Sequence, residues 1–308
     1  MNKEIIKGTH GKDITIYTVE PKDEAIAFVN IFHGASEHAL RYQETAKALA
    51  DQGFYVVMHD HLGHGNTAEY DDLVIFAENH GAQKQIDTTY DIFKYTHDLN
   101  PQLPIFAIAH SMGTLILRAL INQKHDIYDG VVYIGSPFIS KVKVKMVKRL
   151  AKAVKLIKGP YHISKLITDL TQDNAYNSMK KRGLIEHRHE WVTSNKEVQN
   201  QAQKDPKIGL PFTISAQLDL FDIILVAHQW CPFPGSNDLY YIICGDQDAL
   251  CDYGKSVQKL SQFLEQQGFT NVKHKVYPNS RHELLNEPIR KKVLHDIVEH
   301  FKVCIENS

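Results

Sequence analysis

At 308 residues, with 43% hydrophobic and 23% charged residues, the chain is long enough for a large buried core and has a globular, not a disordered or fibrous, composition. A formal charge of −1 and a pI near 7 exclude the broad basic field of nucleic-acid binders, so any electrostatic signal is local and no nucleic-acid partner is expected. No signal-peptide core, no apolar run near the ~20 residues of a membrane span, and four scattered cysteines (Cys231, Cys244, Cys251, Cys304) without a CxxC pair point to a cytoplasmic protein with reduced thiols.

In chain order, short apolar runs at 3–7, 13–19, 25–32, 54–59, 104–109, 130–134, 239–244 and 272–277 read as strands. Amphipathic stretches at 40–52, 83–99, 112–123, 255–267 and 287–304 read as helices. Their alternation predicts an α/β fold, a mostly parallel eight-stranded sheet flanked by helices. Between the sixth and seventh strands lie about 100 residues, too many for a plain loop in a compact domain. Helical stretches at 141–158, 161–172, 187–202 and 214–228 mark this interval as an inserted helical cap. The expected division is a core of residues 1–136 and 238–308 and a cap of residues 137–237.

The sharpest local signal is Ala109-His110-Ser111-Met112-Gly113. It joins an apolar strand to a helix, the context in which a small-x-Ser-x-Gly turn exposes a serine hydroxyl at the sheet edge. Ser111 as a mere helix cap is the plainer alternative. Against it stand two partners in the expected chain order. A serine hydroxyl is a weak nucleophile until a base takes its proton, and the base must itself be oriented. The loop after the seventh strand carries Asp246 and Asp248, and the loop after the eighth carries His282. Asp248 lies two residues further past its strand, where the loop can turn back toward His282, and Asp246 reads as a turn residue. For the oxyanion hole, the fold supplies the N–H of Met112 and one from the loop His33-Gly34-Ala35, assigned to Ala35.

Taken together, these segments resemble the monoacylglycerol lipases and lysophospholipases of the α/β-hydrolase fold. The stretch from His33 through Glu37, His38 and Arg41 to Tyr42 is similar to their HGxxEHxxRY signature, Asp60-His61-Leu62-Gly63-His64-Gly65 to their DxxGHG loop, and the serine turn to their GHSMG elbow. The resemblance implies Ser111, Asp248 and His282 as catalytic triad, Ala35 and Met112 as oxyanion donors, and His33, Gly34, His110 and Gly113 as motif support. Two departures are Ala109 for the first elbow glycine and Ser280-Arg281 before the histidine. The implied activity is hydrolysis of a single-acyl-chain lipid ester through an acyl-enzyme on Ser111. A carboxylesterase, thioesterase or peptidase with the same triad is the alternative, and a non-catalytic binding protein of this fold a second one.

The cap adds one observation of its own. Lys141, Lys145, Lys148, Lys152 and Lys155 share one helical face, with Val144, Val147, Leu150, Ala151, Val154 and Ile157 on the other, and no acidic residue interrupts 141–158. A solvated lid face accounts for this pattern, and the competing hypothesis is peripheral contact with an anionic membrane surface or lipid headgroups through this basic helix. The closest histidine pairs, His187 with His189 and His61 with His64, lack a Cys or acidic residue at ligand spacing, so neither a metal nor another cofactor is expected.

Overall fold

The computed structural model describes residues 1–171, 173–229 and 239–306. Eight strands, β1 (Asn2–Lys7), β2 (Asp13–Val19), β3 (Ala27–Phe32), β4 (Phe54–His59), β5 (Ile105–His110), β6 (Gly130–Ile134), β7 (Leu239–Gly245) and β8 (Asn271–Tyr277), form one sheet. Their order is β1-β2-β4-β3-β5-β6-β7-β8, antiparallel at β1/β2 and β2/β4 and parallel elsewhere. Every residue of β3, β5 and β6 is buried, as central parallel strands covered on both faces require. The register aligns Phe32 with Ala109 and His110 with Ile134, so the loops after β3, β5 and β6 leave the sheet at one edge. Sites on parallel sheets form at that carboxyl edge.

The core helices α1 (Gln43–Ala50), α2 (Gly81–Leu99) and α3 (Met112–Gln123) precede β6. Between β6 and β7 come α4 (Lys141–Lys158), α5 (Lys165–Leu170), α6 (Asp173–Lys181), α7 (Lys196–Lys204) and α8 (Ile214–Ala227), and the chain ends with α9 (Lys255–Gln266) and α10 (Arg290–Glu306). α1 and α10 bury Leu49, Val293 and Phe301 on one face of the sheet, and α2, α3 and α9 bury Ile86, Ile116 and Leu260 on the other.

In the interval between β6 and β7 the helices are finer-grained than the sequence pattern predicts. The stretch expected at 187–202 splits into a 3-10 turn (Arg188–Trp191) and α7. The break arises because Thr193 and Ser194 bond to Asn286 and Glu287 of the core, and Asn195 then caps α7 by accepting from the Glu197 N–H. α5 is shorter than expected, and the polar α6 was not anticipated. The expected cap boundary at residues 237 and 238, like Cys231, lies outside the described residues.

α8 is apolar along most of its length because it packs on α3 below and α4 above. The two-faced reading of α4 needs correction. Only Val144 and Ala151 are fully buried, and Lys148 turns inward to bond Asp222 of α8. Leu150 and Ile157, placed on one face with Val144 and Ala151, point outward with Val142, Met146 and Leu156 and form a second apolar stripe. Among the described residues, no helix is long and apolar enough to cross a membrane.

Candidate active site

Ser111 joins β5 to α3 with φ 50° and ψ −116°, a conformation that costs a non-glycine residue about 1–3 kcal/mol. The surroundings hold it there. Its N–H donates to the Ile134 carbonyl at 2.9 Å, and its own carbonyl accepts from the Thr114 N–H and hydroxyl. The turn is tight: a Cβ on Gly113 would stand 2.5 Å from the Phe32 carbonyl oxygen, and one on Gly34 would stand 3.2 Å from the Ser111 Cβ. The position of Ala109 is fully buried in β5 and accommodates the methyl that replaces the elbow glycine.

Asp248 and His282 come together from the loops after β7 and β8, with Asp248 Oδ2 and His282 Nδ1 2.8 Å apart. The other oxygen of Asp248 accepts the N–H groups of Leu250 and Cys251, so the carboxylate is fixed on both sides. Gly245 makes the approach of the two loops feasible, since a Cβ there would lie 1.9 Å from the Ser280 carbonyl oxygen. Asp246 instead accepts from the Ser280 N–H, the turn role expected of it. Both groups of the pair are deeply buried. Burial alone would raise Asp248, but His282 and the Cys251 donors hold it below its ordinary range. Burial alone would lower His282, yet Asp248, with Glu283 and Glu37 behind it, holds it above 6.5.

Among the described residues, Ser111 Oγ makes no hydrogen bond to His282. His110, its chain neighbour, packs ring to ring with His282 at 4.7 Å. Ser111 itself is buried, at 8% exposure.

The β3 loop is built by histidines in fixed tautomers. His33 Nε2 accepts the His61 N–H at 3.0 Å, so Nδ1 carries the proton and donates to the Gly34 carbonyl at 2.7 Å. His64 accepts the Ser36 N–H in the same way. Burial, the largest influence, lowers these two imidazoles to about 4 and about 3, so both are neutral at pH 7. The Ala35 N–H donates to no described residue, and the Met112 N–H, at the first position of α3, has no partner within its helix.

A buried ion network ties these loops together. The Glu37 carboxylate accepts the Gly34 N–H and the Tyr42 hydroxyl and sits 3.0 Å from His110 Nδ1. Arg41 bonds Glu37 and holds both oxygens of Glu283, the residue after His282, at 2.7 and 2.6 Å. Burial would raise the Glu37 carboxyl, but Arg41, His110 and His33 outweigh it and hold it well below the usual carboxylate range.

A family model described as serine aminopeptidase, S33, matches residues 23–289. The chain belongs to that family. Human monoglyceride lipase is 26% identical over 166 residues, covering 52% of this chain and 53% of that protein. The chain thus spans about half the length of the first curated relatives it matches. A monoacylglycerol lipase of Mycolicibacterium smegmatis is 25% identical over 301 residues, 94% of this chain and 93% of that one. A lipase solved in an open form superposes with a TM-score of 0.81 at 26% identity over 99% of both chains.

Within this α/β-hydrolase, the sequence-predicted residues Ser111, Asp248, His282, Ala35, Met112, His33, Gly34, His110 and Gly113 gather around one edge of the sheet. Glu37 and Arg41 stand in the sequence as letters of one motif, and neither their pattern nor that of Glu283 announces that the three form one network. Sequence reasoning also missed Trp191, in the segment between β6 and β7, whose indole stacks on the His282 ring at 5.1 Å. The unusual Arg281 was the available signal, because its guanidinium binds the Glu190, Thr193 and Leu184 carbonyls and so draws that segment to the histidine loop. Substituting Arg41→Met leaves two carboxylates buried without their cation, and a loss of about 3–5 kcal/mol in urea unfolding is expected. A loss below about 1 kcal/mol would show that the network contributes little to the fold.

Proposed function

We propose that the protein is a serine ester hydrolase acting on monoacylglycerols or lysophospholipids. The observation that carries the reading is the buried Asp248–His282 pair, 2.8 Å apart, beside a serine strained onto a strand-to-helix elbow. In this mechanism Ser111 Oγ attacks the ester carbonyl while His282 Nε2 accepts its proton. Asp248 fixes the tautomer that leaves Nε2 free and stabilises the imidazolium. The N–H groups of Ala35 and Met112 face the oxygen on which negative charge develops, which is where preorganised donors lower a barrier most. The imidazolium then protonates the departing alcohol, and water, activated by the same ring, releases the acid from Ser111.

Apolar surface supports a lipid substrate. Most of the large apolar side chains exposed on the described residues lie between Val142 and Leu170, with Val142, Met146, Leu156 and Ile157 at 68%, 62%, 89% and 77% exposure. Lys141, Lys145 and Lys152 flank this stripe, and no acid occurs in α4. An apolar ridge edged by cations matches an anionic lipid surface, where the side chains enter the interface and the ammonium groups meet headgroups. The relatives named as monoacylglycerol lipases agree with this substrate class. The reading assigns no cofactor.

A fluorophosphonate probe is expected to label the wild-type protein and not Ser111→Ala, as read by intact mass. Turnover should rise from acetyl to decanoyl p-nitrophenyl esters and extend to monoacylglycerol; a preference for acetyl esters or for aminoacyl anilides would overturn the lipid reading. Because His282 must be neutral to accept a proton, kcat/KM should fall tenfold per unit as pH drops below an apparent pKa above 6.5. Asp248→Asn should lower kcat on the order of 10⁴-fold and move that limb to lower pH. Leu156→Asp with Ile157→Asp should abolish flotation with phosphatidylglycerol vesicles while leaving hydrolysis of a soluble ester intact. Unchanged flotation would remove α4 as the contact.

A further inference from the structure

The imidazole of His282 is not enclosed by the core alone. The half-buried Trp191, on the 3-10 turn between α6 and α7, lies over it with ring centroids 5.1 Å apart and planes 27° from parallel. This is an offset stack that presents the indole face to the ring.

The placement of Trp191 is heavily determined. Arg281, one residue before His282, donates to the carbonyls of Leu184, Glu190 and Thr193, which bracket the turn. The Glu283 N–H, one residue after His282, donates to the Val192 carbonyl at 2.7 Å. Glu287 receives the N–H and hydroxyl of Ser194 and also the N–H of Arg281, and Thr193 donates to the Asn286 carbonyl. Segment 184–194 and loop 281–287 are thus fastened on both sides of the ring contact. The stack is a consequence of this clamp and not a chance encounter of two surface loops.

We propose that Trp191 is a positioning residue for His282, acting through the face of its indole on the imidazolium that forms when the ring takes the Ser111 proton. The inference rests on the reading of His282 as the base. A cation within about 6 Å of a tryptophan centroid is attracted to the ring face, and more strongly where water is excluded. The neutral imidazole gains little from that electrostatic term, so the contact favours the charged state that the reaction passes through. The other groups facing the ring are Asp248 on Nδ1, Glu283 and Glu37 as further carboxylates, Arg41 behind those two, and His110 against its plane. These come from the core; Trp191 brings a neutral π face from the segment between β6 and β7.

The two roles open to an aromatic cover, keeping water off the ring and stabilising its charge, separate cleanly by substitution. Trp191→Leu keeps an apolar cover but has no π face, whereas Trp191→Phe keeps both. With a soluble ester, the leucine variant is expected to lose about fivefold in kcat and to shift the acid limb of kcat/KM to lower pH by about 0.7 unit, with the phenylalanine variant close to wild type. Equal kcat and equal acid limbs in the two variants would overturn the proposal, leaving Trp191 a structural filler. Fluorophosphonate labelling of Ser111, lost in His282→Ala, checks the premise on its own. Failure of that control removes the base, while equal behaviour of Trp191→Phe and Trp191→Leu, both still labelled, removes only the tryptophan.

Discussion

A single guanidinium, that of Arg41, sits between two buried carboxylates from opposite ends of the chain, and the register of the site depends on it. Glu37 reaches from it to the Gly34 N–H and to His110, and so sets the β3 loop against the serine turn. Glu283 reaches from it to the residue beside His282. A bidentate contact fixes orientation as well as distance, which lysine would not do. Buried ion pairs recover their desolvation cost only when every lone pair is used, and here Tyr42, Gly34, His110 and Asn286 take up the remaining positions on the two carboxylates. The network is therefore better understood as a device for geometry than as a source of stability in its own right.

Much of the architecture could be read locally. β3, β5 and β6 are short apolar runs because both faces of each are covered, and that run needs no tertiary information to recognise. The elbow was legible because strand, serine and helix are contiguous. Asp248 could be preferred to Asp246 because its place two residues further along decides which carboxylate turns inward. The relationships that were not legible are those between residues distant in sequence. Arg41 and Glu283 are 242 positions apart, and nothing in either neighbourhood announces the other. The inserted segment was hardest, because its local signals are overruled by contacts with the core. Residues 187–202 carry helical periodicity, yet Thr193 and Ser194 commit their hydrogen bonds to Asn286 and Glu287. The outer stripe of α4 escaped notice because a helix with three faces satisfies a two-face pattern equally well when only some apolar residues are counted.

The segment between β6 and β7 is tied to the core at two places beside the candidate site. One is the clamp around Arg281. The other is at the β3 loop, where the Ser36 carbonyl accepts the Gly209 N–H, Ser36 Oγ donates to the Leu210 carbonyl, and His38 pairs with Asp205 at 2.9 Å. These anchors lie beside two of the loops that the proposed chemistry uses, those after β3 and β8. The exposed apolar ridge of α4 lies away from both, on a helix that rests mainly on α8. Anchored flanks keep the groups of the candidate site aligned.

The central claim is that one hydroxyl is made reactive by a buried acid–histidine pair and that its oxyanion is met by two backbone N–H groups. A crystal structure of the protein inactivated by a long-chain alkyl phosphonate tests this most directly. The account predicts phosphorus bonded to Ser111 Oγ, the phosphoryl oxygen about 3 Å from the nitrogens of both Ala35 and Met112, and His282 Nε2 turned toward the bonded oxygen. Phosphorus on another side chain, or a phosphoryl oxygen directed away from those two nitrogens, would contradict it.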